Sequence, residues 1–139
     1  YDLVLFDVFS GASIPSHTLT KEAFAELAQI VAPNGAVILN GGVATHKPPS
    51  DDRFVNSIVG SAETVFENAV AFWGNEPRYS NIIFFFSPKI APKINLPTIE
   101  AGAKTTILTD DFNPIEYYGL DRNLQVIQTL RKIFLPALL

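Results

Sequence analysis

The chain's 139 residues predict an α/β fold that combines a parallel strand–helix–strand unit with an antiparallel strand pair, and three observations carry that reading. Leu3-Val4-Leu5-Phe6 and Ala36-Val37-Ile38-Leu39 are short, unbroken apolar runs bounded by turn residues, the pattern of strands buried on both faces. The stretch between them has helical periodicity, so Leu3 to Asn40 reads as a right-handed strand–helix–strand crossover. A later pair of apolar runs, Ala69 to Trp73 and Asn81 to Phe86, is joined by a connection too short for a helix and must be antiparallel.

Each element has its own local signals. After the first strand, Val8 to Leu19 is a loop of polar and small residues containing Ile14-Pro15-Ser16-His17. Thr20 is placed to cap a first helix, with Ala23, Phe24, Leu27, Ala28 and Val31 as its apolar face. Pro33-Asn34-Gly35 stops it. The second strand closes at Asn40-Gly41-Gly42, and a Pro-rich linker through His46, Lys47, Pro48 and Pro49 follows. Ser50 then caps a second helix with Asp51 and Asp52 in its first turn, where carboxylates favour the helix dipole. Its buried face is Phe54, Val55, Ile58, Val59, Ala62, Val65 and Phe66. Gly60 within it costs about 1 kcal/mol relative to Ala, which packing must offset. Asn81 to Phe86 is the most hydrophobic strand and is expected at the sheet centre. Ser87 to Lys104, with Pro88, Pro92 and Pro97, reads as irregular covering structure, and Thr105 to Leu108 as a short extended piece. Asn123 to Phe134 reads as a terminal amphipathic helix with Leu124, Ile127, Leu130, Ile133 and Phe134 on its inner face.

Composition narrows the function classes. An apolar fraction of 47% with 17% charged residues is that of one globular domain. A net charge of −4 without any Lys/Arg cluster gives nucleic acid no footing. Cysteine is absent, which removes disulfides and thiolate zinc sites. With two histidines, a metal would depend on carboxylates, and none is expected. No apolar run reaches the roughly 18 residues of a membrane span, and no signal peptide is visible. A buried parallel strand at the very start needs a neighbour on each side, so the chain is expected to be the later part of a longer domain.

Asp7 stands just past the first strand. In open α/β sheets ligands bind beyond the carboxyl ends of the strands, so this is where chemistry is expected. A carboxylate capping the turn accounts for Asp7 equally well. Asn40 ends the second strand at the same edge of the sheet and either joins that site or merely closes the turn. Gly41-Gly42 lacks the spacing of a nucleotide-binding loop.

Two segments together carry a resemblance. Asp2-Leu3-Val4-Leu5-Phe6-Asp7-Val8-Phe9-Ser10-Gly11, continued by Ile14 to Phe24, resembles the middle of spermidine synthase-like proteins, in particular bacterial members sometimes fused to transporter-like membrane segments. Leu108-Thr109-Asp110-Asp111-Phe112-Asn113-Pro114-Ile115-Glu116 resembles their carboxy-terminal motif. The resemblance implies the Rossmann-like three-layer α/β sandwich of class I S-adenosylmethionine-dependent methyltransferases, with sheet order 3-2-1-4-5-7-6 and strand 7 antiparallel. The four strands here would be 4, 5, 6 and 7, the C-terminal half of that fold arranged 4-5-7-6. Residues 1–139 would then form a single partial domain, without the N-terminal strands that bind the cofactor.

The same resemblance implies the chemistry. Asp7 matches the first Asp of an Asp-Ser-Ser-Asp-type motif, which orients the cationic amine acceptor and takes its proton. Asp7 and Val8 would lie against the co-substrate, S-adenosylmethionine or its decarboxylated form. Ser10 falls where the second Asp of that motif stands, which argues against ordinary putrescine as acceptor. His17, Asp110, Asp111 and Glu116 would line the substrate pocket. Against these roles, His17 reads also as an incidental loop residue, and Asp110 and Asp111 as a turn and cap before Asn113-Pro114. The leading expectation is a fragment of an aminopropyltransferase or related methyltransferase acting on a small-molecule amine, homodimeric and cytoplasmic, or the cytoplasmic part of a chain with a membrane-spanning segment elsewhere. The other is a non-catalytic Rossmann-like module that associates through the free edge of its first strand.

Overall fold

The strand–helix–strand unit is present as expected. In the computed structural model, which describes residues 1–9, 13–74, 80–99, 102 and 105–134, β1 (Leu3–Phe6) runs parallel to β2 (Ala36–Ala44), with Leu3 opposite Ala36 and Phe6 opposite Leu39. The crossover helix α1 (Lys21–Ile30) begins at Thr20, whose hydroxyl accepts from the Ala23 N–H. After α2 (Arg53–Glu63), β3 (Asn68–Trp73) and β4 (Ser80–Ser87) form the expected antiparallel pair. A two-residue strand, β5 (Thr98–Ile99), borders β3, and α3 (Ile115–Phe134) follows. The sheet order is β1-β2-β4-β3-β5. Its first four strands reproduce the implied 4-5-7-6 order, with β4 antiparallel to both neighbours. The fold is a partial Rossmann-like methyltransferase fold.

β4 is central because its alternate residues feed the core. Phe84 and Phe86 are fully buried, and the Phe86 ring meets Phe24 of α1 at 5.1 Å and Phe66 at 5.8 Å between centroids. Val37, Leu39, Ala71 and Ile82 share that face. On the other face Leu3, Leu5, Ile38, Val70 and Ile83 are exposed or half-buried.

Several boundaries differ from the sequence expectation, each for a local reason. β1 is not buried on both faces. It is the sheet edge, leaving Leu3 54% and Leu5 71% exposed while Val4 and Phe6 pack inward. An apolar run reads the same in a central strand and in one lacking a neighbour. β2 does not stop at Leu39. The register slips between Asn40, opposite Ile83, and Val43, opposite Asn81, and Gly42 takes a φ of 84°. Asn40-Gly41-Gly42 is therefore a bulge within the strand rather than its closing turn.

Asp52, not Ser50, caps α2: its carboxylate accepts from the Val55 N–H at 3.0 Å. Ser50 and Asp51 sit in the preceding turn, closed from Asp52 N–H to Pro49 C=O. Thr105 to Leu108 joins no strand. Leu108 N–H instead donates 2.7 Å to Ser61 Oγ on α2. α3 begins at Ile115 rather than Asn123, because Asn113 Oδ1 caps the Ile115 N–H. Its inner face also differs: Leu124 is 46% and Ile127 39% exposed, while Ile115 and Gly119 are buried. The side chains of Leu130, Ile133 and Phe134 lie outside the described residues.

Candidate functional site

The site forms where the carboxyl ends of β1 and β2 meet the start of α3. β1 delivers Asp7 one residue past its last paired position, with the carboxylate exposed. The bulge in β2 turns Asn40 toward it. Asn40 Nδ2 donates 3.1 Å to Asp7 Oδ1, and Asn40 Oδ1 accepts from the Gly42 N–H at 3.0 Å. The second bond fixes which way the amide points, so the carboxylate always faces its NH2 end. Asn40 thus positions Asp7.

Beside this pair is a cavity of about 350 Å3, lined by Phe9, Ser13, Ile14, Asn40, Phe54, Asn81, Glu116, Arg122, Asn123 and neighbouring residues. The lining is largely apolar, with a few convergent polar groups, which is the composition of a small-molecule pocket.

The two segments that carry the family resemblance, which give Ile14, Ile115 and Glu116 to the cavity lining, are tied to each other outside it. Thr20 Oγ1 donates 2.7 Å to Asp110 Oδ1, and the Asp110 N–H donates to Glu22 Oε2 at 3.2 Å. Asn113 Nδ2 donates 2.7 Å to the Ser16 carbonyl, and the Lys21 N–H donates to the Leu108 carbonyl. Within the second segment, Thr109 and Phe112 exchange backbone hydrogen bonds in a tight turn. Segments some 90 residues apart in sequence are therefore bolted together.

The anticipated site residues separate on this framework. Asp7 meets Asn40, and Glu116 lines the cavity beside Asn40. Val8 is 38% exposed next to Asp7. Asp110 is engaged at the start of α1. Asp111 is exposed on the turn, and His17 is exposed on the single 3-10 turn Ser16–Thr18; neither lines the cavity. Ser10 lies outside the described residues.

Arg122 was missed by the sequence reading. It lines the cavity from α3, and its guanidinium carbon sits 3.7 Å from the centre of the Phe54 ring. Its Nε and Nη1 are buried with no hydrogen-bond partner among the described residues. Burial pushes the guanidinium down to about 10, and only the field of Asp52 opposes the shift. A lone Arg in a helix normally reads as a solvated charge. The signal that could have marked it is its spacing from Ile115 and Gly119, which turns it inward.

No family model matches the chain. It is 25% identical over 135 residues to the polyamine aminopropyltransferase of Vibrio vulnificus (strain CMCP6), a match covering 82% of this chain and 44% of that protein. A probable spermidine synthase from Corynebacterium glutamicum ATCC 13032 has a crystal structure that matches with a TM-score of 0.51 at 30% identity, over 68% of this chain and 33% of that one. These likenesses bear out the resemblance: the chain is spermidine synthase-like in sequence and fold. It spans less than half the length of either relative.

Proposed function

We propose that the chain is the acceptor-binding half of a spermidine synthase-like transferase, moving an aminopropyl group from decarboxylated S-adenosylmethionine, or a methyl group from S-adenosylmethionine, to an amine. The observation that carries this reading is the Asp7–Asn40 pair, held at the carboxyl ends of two adjacent parallel strands beside a cavity of substrate size. The bound sulfonium co-substrate would supply the electrophilic carbon. Asp7 attracts the cationic acceptor, accepts a proton from its nitrogen and so frees the lone pair for attack. Asn40 keeps the carboxylate aimed during that exchange. Glu116 adds negative charge to the cavity lining, and the Phe9, Ile14 and Phe54 surfaces exclude water around the acceptor's carbon chain.

Asp7 and Val8 are the residues assigned to the co-substrate. Both are exposed at the sheet edge, which fits one side of such a ligand and leaves its other contacts to be supplied beyond β1. The open edge of β1 and the exposed Leu3 and Leu5 support a partial domain whose remaining strands lie on that side. A cytoplasmic location goes with this chemistry; no described helix is long and apolar enough to cross a membrane.

The test is Asp7→Asn in the full-length protein. It keeps an oxygen for Asn40 but removes the base, and kcat is expected to fall about 100-fold with co-substrate affinity little changed. Unchanged turnover would make Asp7 a turn cap. A second reading, a non-catalytic module that pairs with another copy through β1, draws on the same exposed edge.

A further inference from the structure

The cavity changes character along α3, which lines it from Ile115 to Ile127, a span of about 18 Å at 1.5 Å per residue. Glu116 stands at the start of that span, exposed in the first helical turn, with no hydrogen-bond or ion-pair partner among the described residues. It is the one carboxylate among the described residues that line the cavity; Asp7 lies outside the lining and is linked to it through Asn40. Arg122 follows about 9 Å along the helix axis, and Val126 and Ile127 close the span. Glu116, Asn123 and Ile127 recur at i, i+7 and i+11 and so share one stripe of the helix. The Nε and Nη1 atoms of Arg122 are sealed from the cavity and offer a ligand no hydrogen bond. Its charge still reaches the cavity through poorly solvated surroundings.

One carboxylate at one end and apolar side chains at the other suit a ligand with a single cationic head. An ammonium on Glu116 leaves the rest of the ligand to run along α3, past Arg122 and toward Val126 and Ile127. A second ammonium on that path is repelled by the guanidinium and finds no second carboxylate; Asn81 and Asn123 supply amide oxygens but no charge. A hydrocarbon body on the same path gains by burial against Val126, Ile127 and Val43. We infer that this cavity binds a monoamine with an apolar body, its ammonium on Glu116 and its hydrocarbon end against Val126 and Ile127. The inference rests on reading the cavity as the acceptor pocket of a transferase. It goes beyond that reading in assigning one positive charge to the ligand, where a similar enzyme is named for polyamines.

The experiment titrates three probes with the same carbon chain, hexylamine, hexane-1,6-diamine and 1-hexanol, into the 139-residue chain by NMR or calorimetry. Hexylamine is expected to bind at least about tenfold more tightly than either of the others. Glu116→Gln, at an exposed position, should remove its advantage over the alcohol. Ile127→Ser, also on the helix surface, should weaken hexylamine and 1-hexanol together and leave the diamine unchanged. Arg122→Met, which keeps the bulk and removes the charge, should bring the diamine closer to hexylamine. Equal or tighter binding of the diamine overturns the inference, as does binding of the alcohol as tightly as the amine, or absence of binding by all three at about 10 mM. A transfer assay with the full-length protein separates this inference from the reading beneath it. Transfer to the diamine in preference to hexylamine overturns the ligand class and leaves a transferase. Binding of hexylamine with transfer to neither amine leaves the cavity assignment and overturns the transferase.

Discussion

Asp7 and Asp110 are carboxylates in the two segments that carry the sequence resemblance, yet the structure gives them different surroundings. Asp7 is exposed and touches a single oriented amide, so its carboxylate can exchange partners during a reaction. Asp110 accepts from the buried Thr20 hydroxyl while its N–H donates to Glu22, and so ties a turn to a helix start. Asp110→Ala is therefore expected to lower stability by about 1 kcal/mol, read as a shift in the urea midpoint, with the acceptor KM unchanged. A raised KM at unchanged stability would place Asp110 in the acceptor pocket instead. Asp7 was legible as a strand-end carboxylate, and Asn40 as a residue at the same sheet edge that either joins the site or closes a turn. The reason is the bulge: two glycines after an apolar run look like an ending, and only the pairing with β4 shows the strand continuing past them.

At the scale of elements, the same distinction between local and long-range information decides what could be read. Thr20 capping α1, the apolar face of α2 from Phe54 to Ala62 and the antiparallel β3–β4 pair follow from spacing within short windows, whereas Val65 and Phe66, expected on that helix, lie past its end at Glu63. β5 and the early start of α3 do not: β5 exists because Trp73 N–H reaches Pro97 C=O and Ala71 pairs with Ile99. The outward turn of Leu124 was equally hidden, since an apolar stripe does not state which side meets the sheet; Ile127, though 39% exposed, faces the cavity.

Gly60 shows a long-range constraint resolving a local puzzle. A Cβ there would lie 2.0 Å from Thr105 Cγ2, so the glycine lets the segment entering the site cross directly over α2. Gly60→Ala should destabilise the chain by about 1–3 kcal/mol despite the better helix propensity of alanine. Urea denaturation measures this, and pairing the change with Thr105→Ser should recover part of the loss. Equal stability of Gly60→Ala and the parent would show that Thr105 swings aside.

For the whole molecule the decisive feature is the asymmetry of its sheet. One side of β4 leads through β2 to an open edge with apolar side chains in solvent, and the other is bordered by β5. An open apolar edge offers backbone groups to any strand that can pair with it. If a second copy takes that place, light scattering should show the 139-residue chain as a dimer at high concentration, and Leu5→Lys on the edge should return it to monomer. A clean monomer throughout would remove the association reading and leave the edge to strands of a longer protein.

The bolts between the two distant segments also set an order of events in folding. Thr20 can cap α1 from its own neighbours, but its contact with Asp110 closes a loop of 90 residues, and Asn113 reaching Ser16 closes one of 97. Loops of that size are expensive to close before the sheet exists. The junction of Thr20 with Asp110 and of Ser16 with Asn113 is therefore expected to settle last when the chain refolds from denaturant. Loss of the Asp110 contact should accordingly speed unfolding while leaving the refolding rate nearly untouched.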